Sequence, residues 1–122
     1  TLFSLGCGRI FEGTYNQMFQ SLNKLKSLPG ETKIYCGHEY TYNNLEFCLK
    51  FNPNNDFLKK KKEAIELNLK NRKPTIPSTI DEEIKTNIFL RCNDPDVKKA
   101  LNLVNSSDIE IFTKLRSLKD NF

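Results

Sequence analysis

The chain has a single histidine, His38, so any imidazole chemistry must occur there. A short apolar stretch, residues 34–36, leads to His38 through Gly37. Glycine permits sharp backbone turns, and open α/β sheets present ligands and metals just beyond the ends of their strands. This placement favours a metal-binding histidine. A lone histidine is, however, more often a structural residue than a ligand, so the residues around His38 leave both interpretations open.

Arg116 and Lys119 form a second group that could bind a ligand. They lie three residues apart on a predicted helix near the end of the chain, so their side chains project side by side. Two adjacent cations are suited to holding one carboxylate. The alternative is a pair of solvated basic residues that complements the dipole at the helix C-terminus. On that helix, Ile109, Phe112 and Leu115 are predicted to be buried, with Arg116 and Lys119 on the other face.

The first forty residues are predicted to form one α/β unit that positions His38. Residues 1–5 have the pattern of a buried strand, and a loop with three glycines follows over residues 6–13. A helix begins after Thr14, and residues 33–36 form a second strand. If the two strands are parallel, the loops that follow them open on the same side. The glycine loop and His38 would then share one rim.

The rest of the chain is predicted to be helical, without a further strand. The spacing of apolar residues predicts helices over residues 41–51 and 56–70. Capping residues predict a short helix from Pro95 and a final helix capped by Ser106 or Ser107. The predicted inward positions of the first two helices are Tyr42, Leu45, Leu49, Leu58, Ile65 and Leu69.

Two segments interrupt these helices. Residues 73–79 contain two prolines and are predicted to be extended. Ser78 or Thr79 would cap the helix that follows. Residues 87–91 form an apolar insertion, of which Phe89 and Leu90 are expected to dock on the core.

The formal net charge of +4 would favour acidic partners, but much of the excess lies in four consecutive lysines, residues 59–62. These lysines alternate with no aromatic residues and form no nucleic-acid-binding motif. We therefore expect a solvated helix face and no nucleic-acid partner. The four cysteines are scattered without a C-x-x-C pair, which argues against a zinc ribbon or finger and favours reduced thiols.

No apolar run approaches the ~20 residues of a membrane span. We therefore expect no membrane partner and a cytoplasmic protein. The chain opens without a methionine and directly in a predicted strand. From this we expect it to be truncated upstream, and a targeting segment could be missing with the truncated part.

Seven short motifs occur in the order, and near the spacing, of one known family. The motifs are Thr1-Leu2-Phe3, Gly6-Cys7-Gly8-Arg9, Phe11-Glu12-Gly13-Thr14, Tyr35-Cys36-Gly37-His38-Glu39-Tyr40-Thr41, Asn43-Asn44-Leu45, Pro77-Ser78-Thr79 and Lys119-Asp120. Through them the whole chain resembles the C-terminal half of glyoxalase II, the hydroxyacylglutathione hydrolase branch of the metallo-β-lactamase superfamily. No single motif is specific, and the combination carries the resemblance.

The resemblance implies a fold in two parts. Residues 1–40 would be the end of a metallo-β-lactamase-type αββα sandwich, an α/β fold, and residues 41–122 an all-helical glutathione-binding domain. The implied reaction is hydrolysis of the thioester S-D-lactoylglutathione to glutathione and D-lactate, a step of methylglyoxal detoxification, at two divalent metal ions. Zinc is the expected metal, with iron or manganese as alternatives. We expect a monomer that acts on a small-molecule glutathione thioester.

The resemblance also assigns roles to residues. His38 matches a metal ligand, and Tyr40 matches a tyrosine beside the glutathione backbone. Arg9 occupies the place of a basic residue, usually lysine, that contacts the tripeptide. Arg116 and Lys119 match the pair that grips the glycine carboxylate of glutathione.

Two departures from the family pattern have consequences. Phe11 stands where many members carry a tyrosine, so at this substrate-binding position only aromatic packing is expected. The other metal ligands of the family, including its His-x-His-x-Asp-His motif, would lie before Thr1. One histidine cannot hold a dinuclear centre, so the chain by itself is expected to bind no metal and to be inactive.

Two other functions are compatible with the sequence. One is another glutathione thioesterase, or a sulfur dioxygenase, of the same superfamily. The other is a non-catalytic basic helical binding module in which His38 is structural. The helical part of the chain and the pair Arg116 and Lys119 favour hydrolysis of a glutathione thioester.

Overall fold

Six α-helices and four two-residue strands make up the computed structural model, which describes all residues 1–122. In chain order the elements are β1 (Leu2–Phe3), β2 (Gly6–Cys7), α1 (Tyr15–Lys26), β3 (Lys33–Ile34), α2 (Thr41–Phe51), α3 (Asp56–Lys70), β4 (Ser78–Thr79), α4 (Ile80–Thr86), a 3₁₀ turn (Ile88–Leu90), α5 (Pro95–Ala100) and α6 (Asp108–Asp120). None of the helices combines the length and the apolar character needed to cross a membrane.

The start of the chain forms a hairpin, where we predicted one strand followed by a loop. β1 and β2 pair antiparallel, with Leu2 opposite Cys7 and Phe3 opposite Gly6. The chain reverses at Leu5, whose φ of 61° lies in the left-handed region. That conformation is costly for a residue with a side chain, so neighbouring groups must hold it. The predicted opening strand is therefore shorter than expected, and the first two residues of the predicted glycine loop belong to β2.

The second small sheet joins distant parts of the chain. β3 pairs antiparallel with β4, Lys33 opposite Thr79 and Ile34 opposite Ser78. β1 and β3 share no sheet, so the parallel pairing on which our expectation of a shared rim depended does not form. The prediction that no strand follows the first forty residues is also wrong. The chain is mostly helical with two small sheets, and its helical part agrees with the predicted helical domain.

The predicted helix starts are confirmed, and side-chain caps explain all of them except that of α2. The hydroxyl of Thr14 accepts from the backbone N–H of Gln17, and the Gln17 side chain accepts from the N–H of Thr14 at 2.9 Å. This is a capping box. Ser107 and Glu110 form a second one at the start of α6. Thr79 caps α4 through a single side-chain hydrogen bond.

One hydrophobic core joins the hairpin to the helices, and Leu5 at the hairpin turn is fully buried in it. At its centre Phe47 stacks on Phe89 with ring centroids 5.8 Å apart, and Phe112 meets Phe89 edge-on at 6.1 Å. The predicted docking segment is confirmed, because all three residues of the turn Ile88–Leu90 are buried.

Three of the six predicted inward positions on α2 and α3 are confirmed: Leu45, Leu58 and Ile65 are buried. Tyr42 and Leu69 are exposed, so these two predictions are wrong, and the sixth position is half-buried. On α2 the buried face is rotated away from Tyr42, because this helix directs an asparagine and a cysteine at the hairpin.

The four lysines at residues 59–62 lie largely outward on α3, as predicted. Lys61 is the most covered of them, and its Nζ lies 2.6 Å from a carboxylate oxygen of Glu82. Lys59 pairs more loosely with Asp56, at 3.8 Å. The exposed pair of Lys59 and Asp56 contributes little stability. The exposed lysines form a solvated basic surface that neighbouring acids partly neutralise.

Candidate functional site

A cavity of about 590 Å³ lies between the hairpin, the loop before α2 and the C-terminal end of α6. All six residues predicted to form a site line it. The complete lining is Phe3, Cys7, Gly8, Arg9, Phe11, His38, Tyr40, Asn43, Asn44, Arg116 and Lys119. The shared rim expected from parallel strands is thus present, although an antiparallel hairpin and α6 create it. The individual roles of the six residues stay predictions.

Arg116 is buried, contrary to the prediction that it faces away from the core. Its exposed fraction is 2%, because it follows Phe112 by four residues and therefore shares its face of α6. The guanidinium lies 5.4 Å from the Phe89 ring centroid. Nη1 donates to the carbonyl oxygen of Cys7 at 2.5 Å and to that of Gly8 at 3.3 Å. Arg116 thus ties the last helix to the end of the hairpin and to the residue that follows it.

Asp120 completes the surroundings of Arg116. Nη2 of Arg116 donates to Oδ1 of Asp120 at 3.0 Å, and the same oxygen lies 4.0 Å from Nε of Arg9. One carboxylate is therefore shared by two cations. Nε of Arg116 is buried without a hydrogen-bond partner.

Lys119 lies at the edge of this group, half-buried, and its Nζ donates to Oδ1 of Asn43 at 3.1 Å. Desolvation lowers the pKa of Lys119 below its usual range, and repulsion from Arg116 and Arg9 lowers it further. Repulsion among three cations means that their charge is not fully balanced within the chain. A bound anion would relieve that repulsion.

The aromatic side of the cavity is formed by His38, Tyr40 and Phe3. The rings of His38 and Tyr40 stack 5.0 Å apart at an interplanar angle of 4°. Phe3 packs against both, at 6.4 Å from His38 and 5.5 Å from Tyr40. Phe11 is 88% exposed and lies at the rim. Neither the imidazole of His38 nor the hydroxyl of Tyr40 makes a hydrogen bond within the chain, so both groups are free to bind a ligand.

The turn before His38 does not depend on glycine, which corrects the reason given for Gly37. The φ of Gly37 is not in the left-handed region. A Cβ added at this position would have no atom within 4 Å. The loop that follows β3 places His38 at the cavity.

The side chains that could bind a metal ion are dispersed in this chain. No group of three or more histidine, cysteine and acidic side chains lies close enough to hold an ion. Burial raises the pKa of Cys7 to about 11 and that of Cys48 and Cys92 to about 12. His38 can contribute one ligand at most.

Buried polar side chains form hydrogen bonds with the backbone of the hairpin, and these contacts were not predicted from the sequence. Asn87 donates from Nδ2 to the carbonyl oxygen of Gly6 at 3.0 Å, and Asn44 donates to that of Ser4 at 3.1 Å. Glu83, fully buried, accepts from the N–H of Leu5. Polar residues at helix positions that face the core are the only signal in the sequence that could have indicated them.

Comparison with known proteins identifies the family of this chain. Residues 39–122 match the family model described as hydroxyacylglutathione hydrolase C-terminus. The chain is 54% identical over its whole length to the hydroxyacylglutathione hydrolase of Pelagibacter ubique, of which it covers 45%. It is 52% identical to that of Bartonella tribocorum and 50% identical to that of Aliivibrio fischeri, covering 48% and 49% of those proteins and 100% and 99% of itself. The chain thus spans about half the length of these curated relatives. The resemblance found in the sequence is confirmed, and the chain belongs to the hydroxyacylglutathione hydrolase family.

Proposed function

We propose that this chain forms the glutathione-binding half of a hydrolase that splits the thioester S-D-lactoylglutathione into glutathione and D-lactate. The observation that supports the proposal is the single cavity in which Arg9, Arg116 and Lys119 lie together with His38 and Tyr40. Its volume is within the range of small-molecule sites. Three cations suit a small peptide-like ligand with free carboxylates, and the membership of the family points to glutathione.

The three cations of the cavity would contribute to substrate binding in different ways. Lys119 donates to Asn43 and keeps further N–H groups for a substrate carboxylate. Arg9, with 62% of its side chain exposed, can turn toward the ligand. Both terminal nitrogens of Arg116 donate within the chain, but Nε has no partner and Nη2 keeps a second N–H, so Arg116 can act on the glycine carboxylate through its charge and through these remaining N–H groups.

The aromatic side would receive the rest of the substrate. The hydroxyl of Tyr40, on a ring that is 52% exposed, is available to the glutathione backbone. Phe11 at the rim offers an apolar surface and no hydroxyl. Asn43 and Asn44 add amide groups to the same wall.

The hydrolytic centre would be completed by the remainder of a longer protein. The curated relatives are about twice as long as this chain. We propose that residues 1–40 belong to an αββα sandwich in the full-length protein and that His38 is one ligand of a pair of zinc ions held there. The 122-residue chain by itself would bind the substrate without cleaving it.

The test is an assay of the full-length protein with S-D-lactoylglutathione, which follows free thiol and D-lactate together. Lys119→Ala should raise KM roughly 10- to 100-fold with little change in kcat, because a charge-assisted hydrogen bond contributes roughly 1.5–3 kcal/mol. Lys114→Ala is the matched control, since Lys114 is an exposed lysine of the same helix that does not line the cavity. It should leave both constants unchanged.

Other outcomes would replace the proposal. Oxygen uptake with glutathione persulfide, without thioester cleavage, would indicate a sulfur dioxygenase. Glutathione binding without turnover by the full-length protein would indicate a non-catalytic module. Equal kinetic constants for Lys119→Ala and Lys114→Ala would show that the cationic side of the cavity does not bind the substrate.

A further inference from the structure

We infer that Glu39 is a positioning residue, which fixes His38 and Tyr40 in the cavity by anchoring their loop to Thr75. The importance of these two side chains for the substrate rests on the proposed function. The anchoring itself is a property of the fold. Glu39 does not line the cavity, and none of the roles assigned above includes it.

The loop that carries His38 has very little backbone support. Residues 35–39 belong to no helix or strand and take part in no backbone-to-backbone hydrogen bond. The first such bond after β3 is accepted by Tyr40, from the N–H of Asn44 in α2. A loop of this kind needs side chains to hold it in one conformation.

Glu39 supplies the polar contacts between this loop and another segment. Its Oε2 accepts from the backbone N–H of Thr75 at 3.2 Å, and its Oε1 accepts from the hydroxyl of Thr75. The hydroxyl of Thr41 lies 3.3 Å from Oε1 and 2.6 Å from the Thr75 oxygen. Thr41 and Thr75 are both buried. The carboxylate therefore binds a fixed point in the extended segment before β4.

The position of Glu39 in the sequence makes this anchor effective. His38 and Tyr40 are its two neighbours, and both line the cavity, whereas Glu39 does not. His38 and Tyr40 stack on each other in the cavity, while Glu39 points the other way to Thr75. Anchoring the residue between them restricts the backbone positions from which both side chains enter the cavity. Phe3 supplies the apolar support from the cavity side.

The first test uses the only histidine of the 122-residue chain, because its Hε1 proton gives one unambiguous NMR signal. Stacking on Tyr40 displaces that signal by ring currents from the position seen in the unfolded chain. Glu39→Ala should move the signal toward the unfolded position, and Thr75→Val should move it part of the way. Glu46→Ala is the matched control, since Glu46 is exposed and makes no hydrogen bond, and it should leave the signal in place.

The second test uses kinetics in the full-length protein. Glu39→Ala should lower kcat/KM roughly 10- to 100-fold, the loss expected when binding groups are misplaced by about an ångström. Glu39→Gln retains an acceptor oxygen for Thr75 and should lose less. The double variant with Thr75→Val should be no worse than Glu39→Ala, because Glu39→Ala already removes the hydroxyl contact that Thr75→Val removes.

The outcomes separate the two proposals. If the wild-type protein does not cleave the thioester, the proposed function fails, while the His38 signal still decides the anchoring. An unchanged His38 signal and unchanged kcat/KM in Glu39→Ala would overturn the inference. If Glu39→Ala does not fold, Thr75→Val decides, and a wild-type signal in that variant would overturn it.

Discussion

Glu83 accepts a hydrogen bond from the backbone N–H of Leu5 across 2.7 Å, between residues 78 positions apart in the chain. This bond holds the left-handed residue at the hairpin turn. The same carboxylate accepts from the hydroxyl of Ser78 at 2.6 Å and from Nδ2 of Asn87 at 3.0 Å. One buried acid therefore links the hairpin, β4 and the end of α4.

The first prediction concerns the pH dependence that Glu83 introduces. Burial raises the pKa of Glu83 above its usual value of 4.5, and its three hydrogen bonds only partly oppose this. The folded state therefore holds this proton more tightly than the unfolded state. The contribution of Glu83 to the free energy of unfolding is largest below about pH 4.5 and decreases as pH rises through the raised pKa.

Glu83→Gln tests this by urea unfolding between pH 4 and 8. The amide cannot ionise and still offers an oxygen to Leu5, so stability should depend less on pH than in the wild type. Glu83→Ala should lose about 3–5 kcal/mol, because three buried donors lose their acceptor. Parallel pH curves for Glu83→Gln and the wild type would show that the buried carboxyl does not titrate differently in the two states.

The second prediction separates Arg116 from Lys119. Arg116→Ala leaves the carbonyl oxygens of Cys7 and Gly8 without their donor in a buried place. It should lower the free energy of unfolding by about 3 kcal/mol or more. Lys119→Ala removes a half-buried side chain with one hydrogen bond and should cost less than about 1 kcal/mol.

Chemical denaturation of both variants, with Lys114→Ala as reference, measures this difference. Glutathione affinity, measured by calorimetry, should fall in both variants. A stable Arg116→Ala variant that no longer binds glutathione would show that Arg116 serves the ligand alone and does not hold the hairpin segment.

The third prediction is a pH dependence of glutathione binding that Lys119 causes. The pKa of Lys119 lies below the usual 10.5 because of desolvation and the neighbouring Arg116 and Arg9. Lys119 therefore loses its charge at a lower pH than an ordinary lysine. Binding that depends on this charge should weaken as pH rises through the lowered pKa. A bound carboxylate should in turn raise the pKa of Lys119.

Titration calorimetry from pH 7 to 10 measures this effect. Glutathione ionises in the same range, so the informative quantity is the difference between the wild type and Lys119→Ala. The wild type should take up protons on binding in its alkaline range and the variant should take up fewer. Identical curves would place the ligand away from Lys119.

The fourth prediction concerns the close contact between the hairpin and α2. A Cβ at Gly6 would lie 2.5 Å from Nδ2 of Asn44 and 2.8 Å from its Cγ. Gly6→Ala must therefore displace Asn44 and weaken its bond to Ser4, at a cost of about 1–3 kcal/mol.

Gly37→Ala is the matched control, because Gly37 has open space and no left-handed φ. Its effect on stability should stay within about 0.5 kcal/mol. Thermal unfolding of the two variants gives the comparison. Equal melting temperatures would mean that Asn44 moves without cost.

Local chemistry explains what could be predicted from the sequence. The helix starts at Thr14, Thr79 and Ser107 follow from capping side chains within three residues, and the spacing of apolar residues locates the helices. The pairing of β1 with β2 and of β3 with β4 depends on contacts that no local pattern encodes.

In the candidate site, too, some residues could be predicted from the sequence and some contacts could not. The motifs identified all six of the predicted residues that line the cavity, but the burial of Arg116 was missed although it follows Phe112 by one helical turn. The roles of Glu83 and Glu39 could not be predicted, because each acts through a partner more than thirty residues away.

The walls of the cavity come from residues 3–11, 38–44 and 116–119, so the two ends of the chain meet in it. A partly folded molecule that has released either end has no binding site. Ligand binding and global unfolding are therefore thermodynamically linked. Each tenfold increase in ligand concentration above Kd should add about 1.4 kcal/mol to the stability of the whole chain, and slow hydrogen exchange in helices far from the cavity should report ligand occupancy.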